Sequence, residues 1–454
     1  MYCADTIVAP ATPPGRGAVA IVRLSGPEAA AIARQLFQAT SGPALRSRRL
    51  VHGRLVDDGR PIDEALCAFM PGPNSYTGED TVEFQCHGSP LVVEQVVAAA
   101  MARGARAAGP GEFTRRAVLN GRMDLVQAEA VADLISATVA GGARQAWEQL
   151  QGALSGRLAE LRSVIVEVLA EVEANVDFSD EELPEERLEL RADRLAAVDA
   201  GLSALLEGFA VARRQREGHR VVFCGRPNVG KSSLVNALLG HGRMIVTAEA
   251  GTTRDSVEEG VDLGGMALVL VDTAGLRTAT GEAETEAVER ARRLAEDADI
   301  RILVVDRSVP LEDEDRETAG LCAAGPSLLV VNKCDLPATL TDDQTAALAG
   351  SCQVMMTSAI DGRGTDELAA ALIGLAGQAS EQDTVVVSRA RHRSAIERAR
   401  LCLGQAFDLA SGPAAHELVA LELREAAHEL SGITEVLDNE EVLDRIFSEF
   451  CIGK

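Results

Sequence analysis

The chain has 454 residues, 46% of them hydrophobic and 25% charged, and a formal net charge of −25. That length leaves room for two to four separately cored domains, and the balance is that of an ordinary globular protein. So acidic a chain repels phosphate backbones, which excludes a broadly basic nucleic-acid surface and confines any RNA contact to a local site.

Nine dispersed cysteines with no Cys-x-x-Cys pair argue against a disulfide framework and for a reducing compartment. The amino terminus lacks a basic-then-apolar signal pattern, and no apolar run approaches the ~18 residues of a membrane span. A cytoplasmic protein without a membrane partner is expected.

Residues 1–119 alternate strand and helix signals, as expected of an α+β module. Ala18–Leu24 reads as a buried strand, and Ser25-Gly26-Pro27 as a helix start with proline at an early position. Val51–Val56 and Ile62–Met70 flank Asp57-Asp58-Gly59-Arg60, a hairpin signal. Thr81–Cys86 gives another strand, and Ser89-Pro90 caps a helix running to about Arg103.

From about 120 to 215 the pattern turns helical. Leu154, Leu158, Leu161, Ile165, Val168 and Val172 alternate spacings of four and three, the stripe of a long packed helix. An acidic stretch at 177–182 precedes another helix with Leu188, Leu195, Val198 and Leu202. A second helical block occupies 379–454. Neither block can bury its stripe alone, so one discontinuous bundle is expected, with residues 216–378 inserted as a separate α/β domain; two separate small bundles are the plain alternative.

Within that insert, Gly225-Arg226-Pro227-Asn228-Val229-Gly230-Lys231-Ser232 lies between the apolar strand Val221–Cys224 and the helical run Ser233–Leu239. This is the strand–loop–helix setting of a phosphate loop, in which glycines let backbone N–H groups surround the phosphates. Lys231 reaches the β and γ oxygens and Ser232 offers its hydroxyl to Mg²⁺. Asp272, ending the run Ala267–Val271, suits a carboxylate reaching Mg²⁺ through water, followed by Thr273, Ala274 and a γ-phosphate-sensing Gly275. Thr253, in Gly251-Thr252-Thr253-Arg254-Asp255, is the candidate Mg²⁺ ligand of a nucleotide-dependent switch over 245–255.

Asn332-Lys333-Cys334-Asp335 follows a third strand. Asp335 can accept both guanine N1–H and N2–H, and Ser358-Ala359-Ile360 closes the base pocket by backbone. GTP and GDP are therefore the expected ligands, and GTP hydrolysis the expected reaction. Leu276 stands where many GTPases place a water-orienting glutamine, so another group must serve. Asn228 could hold a monovalent cation against the phosphates, with Arg254 and Arg277 as competing cationic groups.

These motifs resemble the GTPases that include the MnmE, Era and Der types. Outside the GTPase region the resemblance narrows to the MnmE (TrmE) tRNA-modification family. It rests on Asp5–Gly17, Pro71–Asp80, Pro110–Thr114 and the terminal Phe450-Cys451-Ile452-Gly453-Lys454.

The resemblance implies an α+β folate-binding and dimerising domain, a discontinuous helical domain and an inserted P-loop GTPase domain. It implies a homodimer that works with the FAD-binding MnmG (GidA), in a heterotetramer or larger complex. Together they would add a carboxymethylaminomethyl or aminomethyl group to C5 of the wobble uridine of certain tRNAs. Arg23, Glu83, Arg122 and Lys454 would contact 5-formyl-tetrahydrofolate or a related folate. Asn228, Thr247, Glu249 and Thr252 would hold K⁺, with Ser233, Ala248 and Ala250 also lining the nucleotide site. Glu284 would orient the attacking water, with Glu282 as fallback, and an acidic solvated loop is the plain alternative reading. Cys451 would lie near the folate site and matter for modification; as a prenylation box the terminus is atypical. A different class, an RNA-binding ribosome-assembly switch of the Era or Der type, calls for a basic domain that this chain lacks. The one evident basic cluster is Ser388–Arg393, a solvated helix start or a phosphate contact.

Overall fold

The main core of the amino-terminal sheet lies on one face, while Ile7 and Ala9 of its first strand are buried in a separate cluster with Phe113. The computed structural model describes residues 5–137, 140–177, 185–245, 257–272, 292–322, 325–377, 387–410, 416–435, 440–448 and 450–454. Its first seven strands are β1 (Ile7–Pro10), β2 (Gly17–Ser25), β3 (Phe37–Ala39), β4 (Leu50–Asp57), β5 (Arg60–Met70), β6 (Thr81–Gly88) and β7 (Arg106–Ala107). They form one sheet in the order β3-β4-β5-β6-β2-β1-β7.

Helices Ala29–Leu36 and Pro90–Ala102 cover one face, burying Val22, Leu24, Val82, Phe84, Leu55 and Val96. Ala18–Leu24 does form a strand, but only alternate residues are buried and Val19 is 58% exposed. A strand whose second face is only partly covered alternates rather than burying a continuous run. The hairpin falls where expected, with Asp57 opposite Arg60 and positive φ at Asp58 and Gly59.

Two helix starts differ from expectation. The first helix begins at Ala29 with Glu28 at the N-cap, so Pro27 lies outside it. Gly26, at φ +133, turns the chain there, and the Glu28 N–H donates to Thr6 Oγ1. Ser89 takes the N-cap position before Pro90, but its side chain makes no cap hydrogen bond.

Contacts divide the chain into two units. One comprises Met1–Ala132, Gln149–Glu182 and Leu401–Lys454; the other comprises Asp133–Glu148 and Leu183–Arg400. These units cut across the expected helical segments 120–215 and 379–454.

In the first unit, helix Ala153–Asp177 buries the whole expected stripe from Leu154 to Val172. It packs against helix His416–Thr434, which buries Leu423, Ala426, Leu430 and Ile433. Ion pairs Arg162–Glu435 and Glu173–Arg424 set the two helices antiparallel. Each buried leucine or isoleucine contributes roughly 1.5–3 kcal/mol. Helices from before and after the GTPase region thus share a core, so that region is inserted in a discontinuous helical domain.

In the second unit, β8 (His219–Cys224), β9 (Arg243–Ile245), β10 (Val257–Leu263), β11 (Met266–Asp272), β12 (Ile300–Asp306), β13 (Ser327–Asn332) and β14 (Gln353–Met356) form a sheet ordered β14-β13-β12-β8-β11-β10-β9. β11, β8, β12, β13 and β14 run parallel, and β10 and β9 add antiparallel edges. Both faces are buried, with Phe223 and Val304 on one side and Val222 and Val305 on the other. Such a sheet gathers its functional loops at the carboxyl ends of its strands.

One expectation needs correcting. An 18-residue window within Arg191–Arg214 is apolar enough, by length and composition alone, to match a membrane span. Its Leu195, Val198, Leu202 and Leu205 are buried against protein, and a packed core helix passes the same test. Eight described cysteines are free thiols.

Candidate functional site

The carboxyl ends of β8, β11, β12 and β13 converge on the phosphate loop. Gly225 leaves β8 at φ +138, and a Cβ there would lie 2.3 Å from the Val304 carbonyl oxygen. Gly230, at φ +101, caps helix Lys231–His241, and its Cβ would meet Asn332 Nδ2 at 2.2 Å. Glycine is required at both places by backbone conformation and by close approach. Asn228 is exposed in the left-handed region at φ +62, where asparagine is among the best tolerated side chains.

Lys231 is nearly buried, and its ammonium donates to the carbonyls of Gly225 at 2.7 Å and Arg226 at 2.8 Å. It spans the loop that would hold the phosphates. The Ser232 hydroxyl hydrogen-bonds the carboxylate of Asp272, which is buried at the end of β11. A hydroxyl beside a carboxylate is a hard-oxygen donor set that suits Mg²⁺. Val229 is buried behind the loop and Ser233 is exposed on the first helical turn.

The guanine motif is joined to this loop. Asn332, at 1% exposure, donates from Nδ2 to the Val229 carbonyl at 2.9 Å. Its Oδ1 accepts from the Thr357 hydroxyl at 3.2 Å and the Ala359 N–H at 3.3 Å. Asp335 accepts from the Ser358 hydroxyl at 2.7 Å, which orients the carboxylate beside the base pocket. Ile360 is 86% exposed, so its side chain packs on nothing here.

Two tethers escaped sequence reasoning. Lys333, at φ +62, pairs with Asp306 at 2.6 Å. Burial would raise the Asp306 carboxyl, but bonds from Lys333 and Ser308 hold it below its ordinary range. Asp306 ends an apolar run just as Asp272 does, and that shared pattern was the available signal. Arg226 binds the fully buried Asp315 at 2.9 Å and the Pro310 carbonyl at 3.2 Å, fastening the phosphate loop to helix Asp313–Cys322. Nothing in local spacing marks Asp315. Thr247, Ala248, Glu249, Ala250, Gly251, Thr252, Thr253, Thr273, Ala274, Gly275, Glu282 and Glu284 lie outside the described residues.

A second site forms on the first unit's sheet. Arg23 of β2 pairs with Glu83 of β6 at 2.8 Å, and its guanidinium lies 5.4 Å from the Tyr76 ring centroid and 5.6 Å from that of Phe113. The terminal segment docks here. Phe113 N–H donates to the Lys454 carbonyl at 3.0 Å, and Arg23 reaches the Gly453 carbonyl at 3.5 Å. Burial, with Arg23 nearby, pushes the Lys454 amine down, against the pull of Glu83. Arg23, Glu83 and Lys454 are thus brought together. Arg122 is exposed with its stem beside Gly78, on the 71–80 loop. Cys451 is exposed, its carbonyl accepting from the Gly111 N–H at 3.4 Å.

Behind this pocket a charge network holds the 71–80 loop. Arg116, almost fully buried, contacts Asp5, Glu79 and Glu112, while Ser25 donates to Glu79 at 2.7 Å. Sequence reasoning missed it, although Glu79 and Glu112 both sit in the quoted motifs.

The inserted, mostly parallel sheet, the phosphate loop and the Asn332-Lys333-Cys334-Asp335 motif beside it are the marks of a P-loop GTPase. Comparison with known proteins then fixes the family. A model for the MnmE helical domain matches residues 125–451, and one for the GTP-binding protein TrmE N-terminus matches residues 6–122. The chain belongs to the MnmE (TrmE) family.

Two relatives named tRNA modification GTPase MnmE align over essentially the whole length. The protein of Heliobacterium modesticaldum is 42% identical, with 99% of each chain covered. That of Chloroflexus aurantiacus is 44% identical, with 99% of this chain and 100% of the relative covered. Among solved structures, a variant of Aquifex aeolicus Era bound to GDP.AlF4- covers 40% of this chain and 66% of its own, at 22% identity and a TM-score of 0.28.

Proposed function

We propose that this GTPase uses a potassium-assisted hydrolysis cycle to drive modification of the wobble uridine of tRNA, acting as a cytoplasmic homodimer with an FAD-binding partner of the MnmG (GidA) type. The division into 1–119, 120–215, 216–378 and 379–454 belongs to the same reading. The observation that carries it is the docking of Phe450–Lys454 onto the Arg23–Glu83 sheet face. An assembly switch of the Era or Der type has no use for such a pocket.

In this reading the phosphate-loop N–H groups and Lys231 bind the phosphates, and Asp335 reads guanine. Ser232 and Thr253 would hold Mg²⁺, with Asp272 reaching it through water, and the metal would supply charge neutralisation at the β and γ oxygens. Asn228, with Thr247, Glu249 and Thr252, would hold potassium in the role an arginine finger fills elsewhere. Glu284 orients the water. On the sheet face, Arg23 and Lys454 are cations matched to folate carboxylates and Glu83 is an acceptor for ring N–H groups, so the residues present fit a tetrahydrofolate. Arg122 and Cys451 border that pocket.

The hydrolysis arm is tested by GTPase rates in potassium and sodium at matched ionic strength. Stimulation specific to potassium and lost in Asn228→Ala supports it; equal rates overturn it. The modification arm is tested by mass analysis of wobble uridines in a deletion strain, where unchanged nucleosides overturn it.

A further inference from the structure

The acidic composition hides a local exception. Residues 34–60 carry six arginines against two aspartates, and both aspartates are taken by Arg103. Sequence reasoning singled out Ser388–Arg393 instead, but there Arg389 pairs with Asp133 at 2.6 Å and Arg393 with Glu397 at 2.7 Å.

The arginines of the amino-terminal unit divide sharply. Arg23, Arg103, Arg106, Arg115 and Arg116 all form ion pairs. Arg46, Arg48, Arg49 and Arg54 are exposed and have no carboxylate at ion-pair distance among the described residues. Glu64 stands opposite Arg54 in the β4–β5 register, but its ion pair is with His52 at 3.4 Å.

The strip is built rather than loose. Arg48 sits at φ +57, in the left-handed region where a long side chain is held only by its surroundings. Its N–H donates to the Phe69 carbonyl at 2.8 Å, and Arg49 N–H closes the turn on Arg46 at 3.2 Å. Arg54 follows along β4, with Gln38 and Thr40 beside it at the sheet edge as neutral hydrogen-bonding groups. Arg48 Nη2 also donates to the Asn74 carbonyl at 2.6 Å. Asn74 belongs to the loop whose Tyr76 lies against Arg23, so the strip adjoins the candidate folate pocket.

We propose that Arg46, Arg48, Arg49 and Arg54 bind the phosphodiester backbone of the substrate RNA and seat it beside that pocket. The inference rests on the tRNA-modification reading above. Guanidiniums without a carboxylate partner are the groups that grip phosphates, and they position an RNA without reading its sequence. In a chain of net charge −25 their isolation from carboxylates gives an orientation in which an RNA backbone meets attraction.

The test uses the full chain and an unmodified tRNA transcript with a wobble uridine, with binding followed from about 50 to about 200 mM salt. The triple variant Arg46→Gln/Arg49→Gln/Arg54→Gln is expected to shed about two to three units of the log–log salt slope. It is expected to lose affinity on the order of a hundredfold near ~0.1 M salt. The corresponding triple lysine variant recovers most of both. GTP hydrolysis and formyl-tetrahydrofolate binding stay unchanged in each, which certifies the fold.

Unchanged slope and affinity overturn the proposal, as does a wild-type chain that binds no transcript. So does a glutamine variant that retains RNA but loses the flavoprotein, which would assign the strip to a protein partner. The modification reading stands or falls separately, on whether the wild-type chain restores modified wobble uridine to a deletion strain.

Discussion

Asn332 and Val229 lie 103 positions apart, yet the asparagine Nδ2 donates to the valine carbonyl across 2.9 Å. This bond ties the Asn332–Asp335 segment to the phosphate loop, so in the proposed reading purine and phosphate recognition would share one element. It also explains why Gly230 admits no Cβ, since that atom would occupy the space of the Asn332 amide.

Replacing Asn332 by alanine strands the Val229 carbonyl, the Thr357 hydroxyl and the Ala359 N–H in a buried place. Each unpaired buried group costs about 1–3 kcal/mol. Asn332→Ala is therefore expected to lower the melting temperature and to weaken GTP and GDP binding at least tenfold. Thermal unfolding and fluorescent-nucleotide titration check both. Undiminished nucleotide affinity in a folded variant refutes the coupling.

The Ser232–Asp272 pair makes a metal-dependent prediction. Asp272→Asn removes the charge while keeping the hydrogen-bonding shape of the hydroxyl's partner. GTP affinity in excess Mg²⁺ is expected to fall by one to two orders of magnitude, whereas affinity measured in a chelator changes little. A loss of equal size in both conditions would point to misfolding instead.

Gly453 docks at φ +97, where an added Cβ would lie 1.9 Å from the Pro10 carbonyl oxygen. Gly453→Ala is expected to displace the terminal segment and, with it, Lys454. Folate binding should disappear in calorimetry while GTPase activity persists, because the nucleotide motifs all lie within residues 219–377. Retained folate binding would dissociate the terminus from the pocket.

Acid should loosen the amino-terminal unit. For Asp5 and Glu112 burial acts to raise the carboxyl values, but Arg106 and Arg116 outweigh it and hold both below their ordinary 3.8 and 4.5. Depressed folded values mean that this stabilisation is present above the unfolded ones. It is lost as pH falls below about 4.5 and through the folded values. Melting temperature is expected to drop across that window, and Glu112→Gln to be less stable near neutrality with a flatter acid profile. Parallel acid profiles for the two proteins would remove Glu112 from the network.

The local grammar of this fold was legible because it depends on neighbours in sequence. The phosphate loop, the Asp58-Gly59 hairpin and the Leu154–Val172 stripe each express a fixed spacing, and each appears where the spacing places it. The strand Ala18–Leu24 was only half read, since a run of apolar residues does not say how many faces of its sheet will be covered.

By itself the sequence pointed to a GTPase, for Gly225–Ser232, Asp272 and Asn332–Asp335 are each recognisable as short motifs of fixed spacing. Only the tertiary structure decided which charges meet. It joined Arg23 to Gly453 across 430 positions, gave Arg226 to Asp315, and surrounded Arg116 with Asp5, Glu79 and Glu112. It equally left Arg46, Arg48, Arg49 and Arg54 without a carboxylate among the described residues. With 69 acidic residues available to 44 basic ones, composition permits almost any pairing. The packing of distant strands and helices selects among them, because a charge is neutralised only by what the fold brings within a few ångströms.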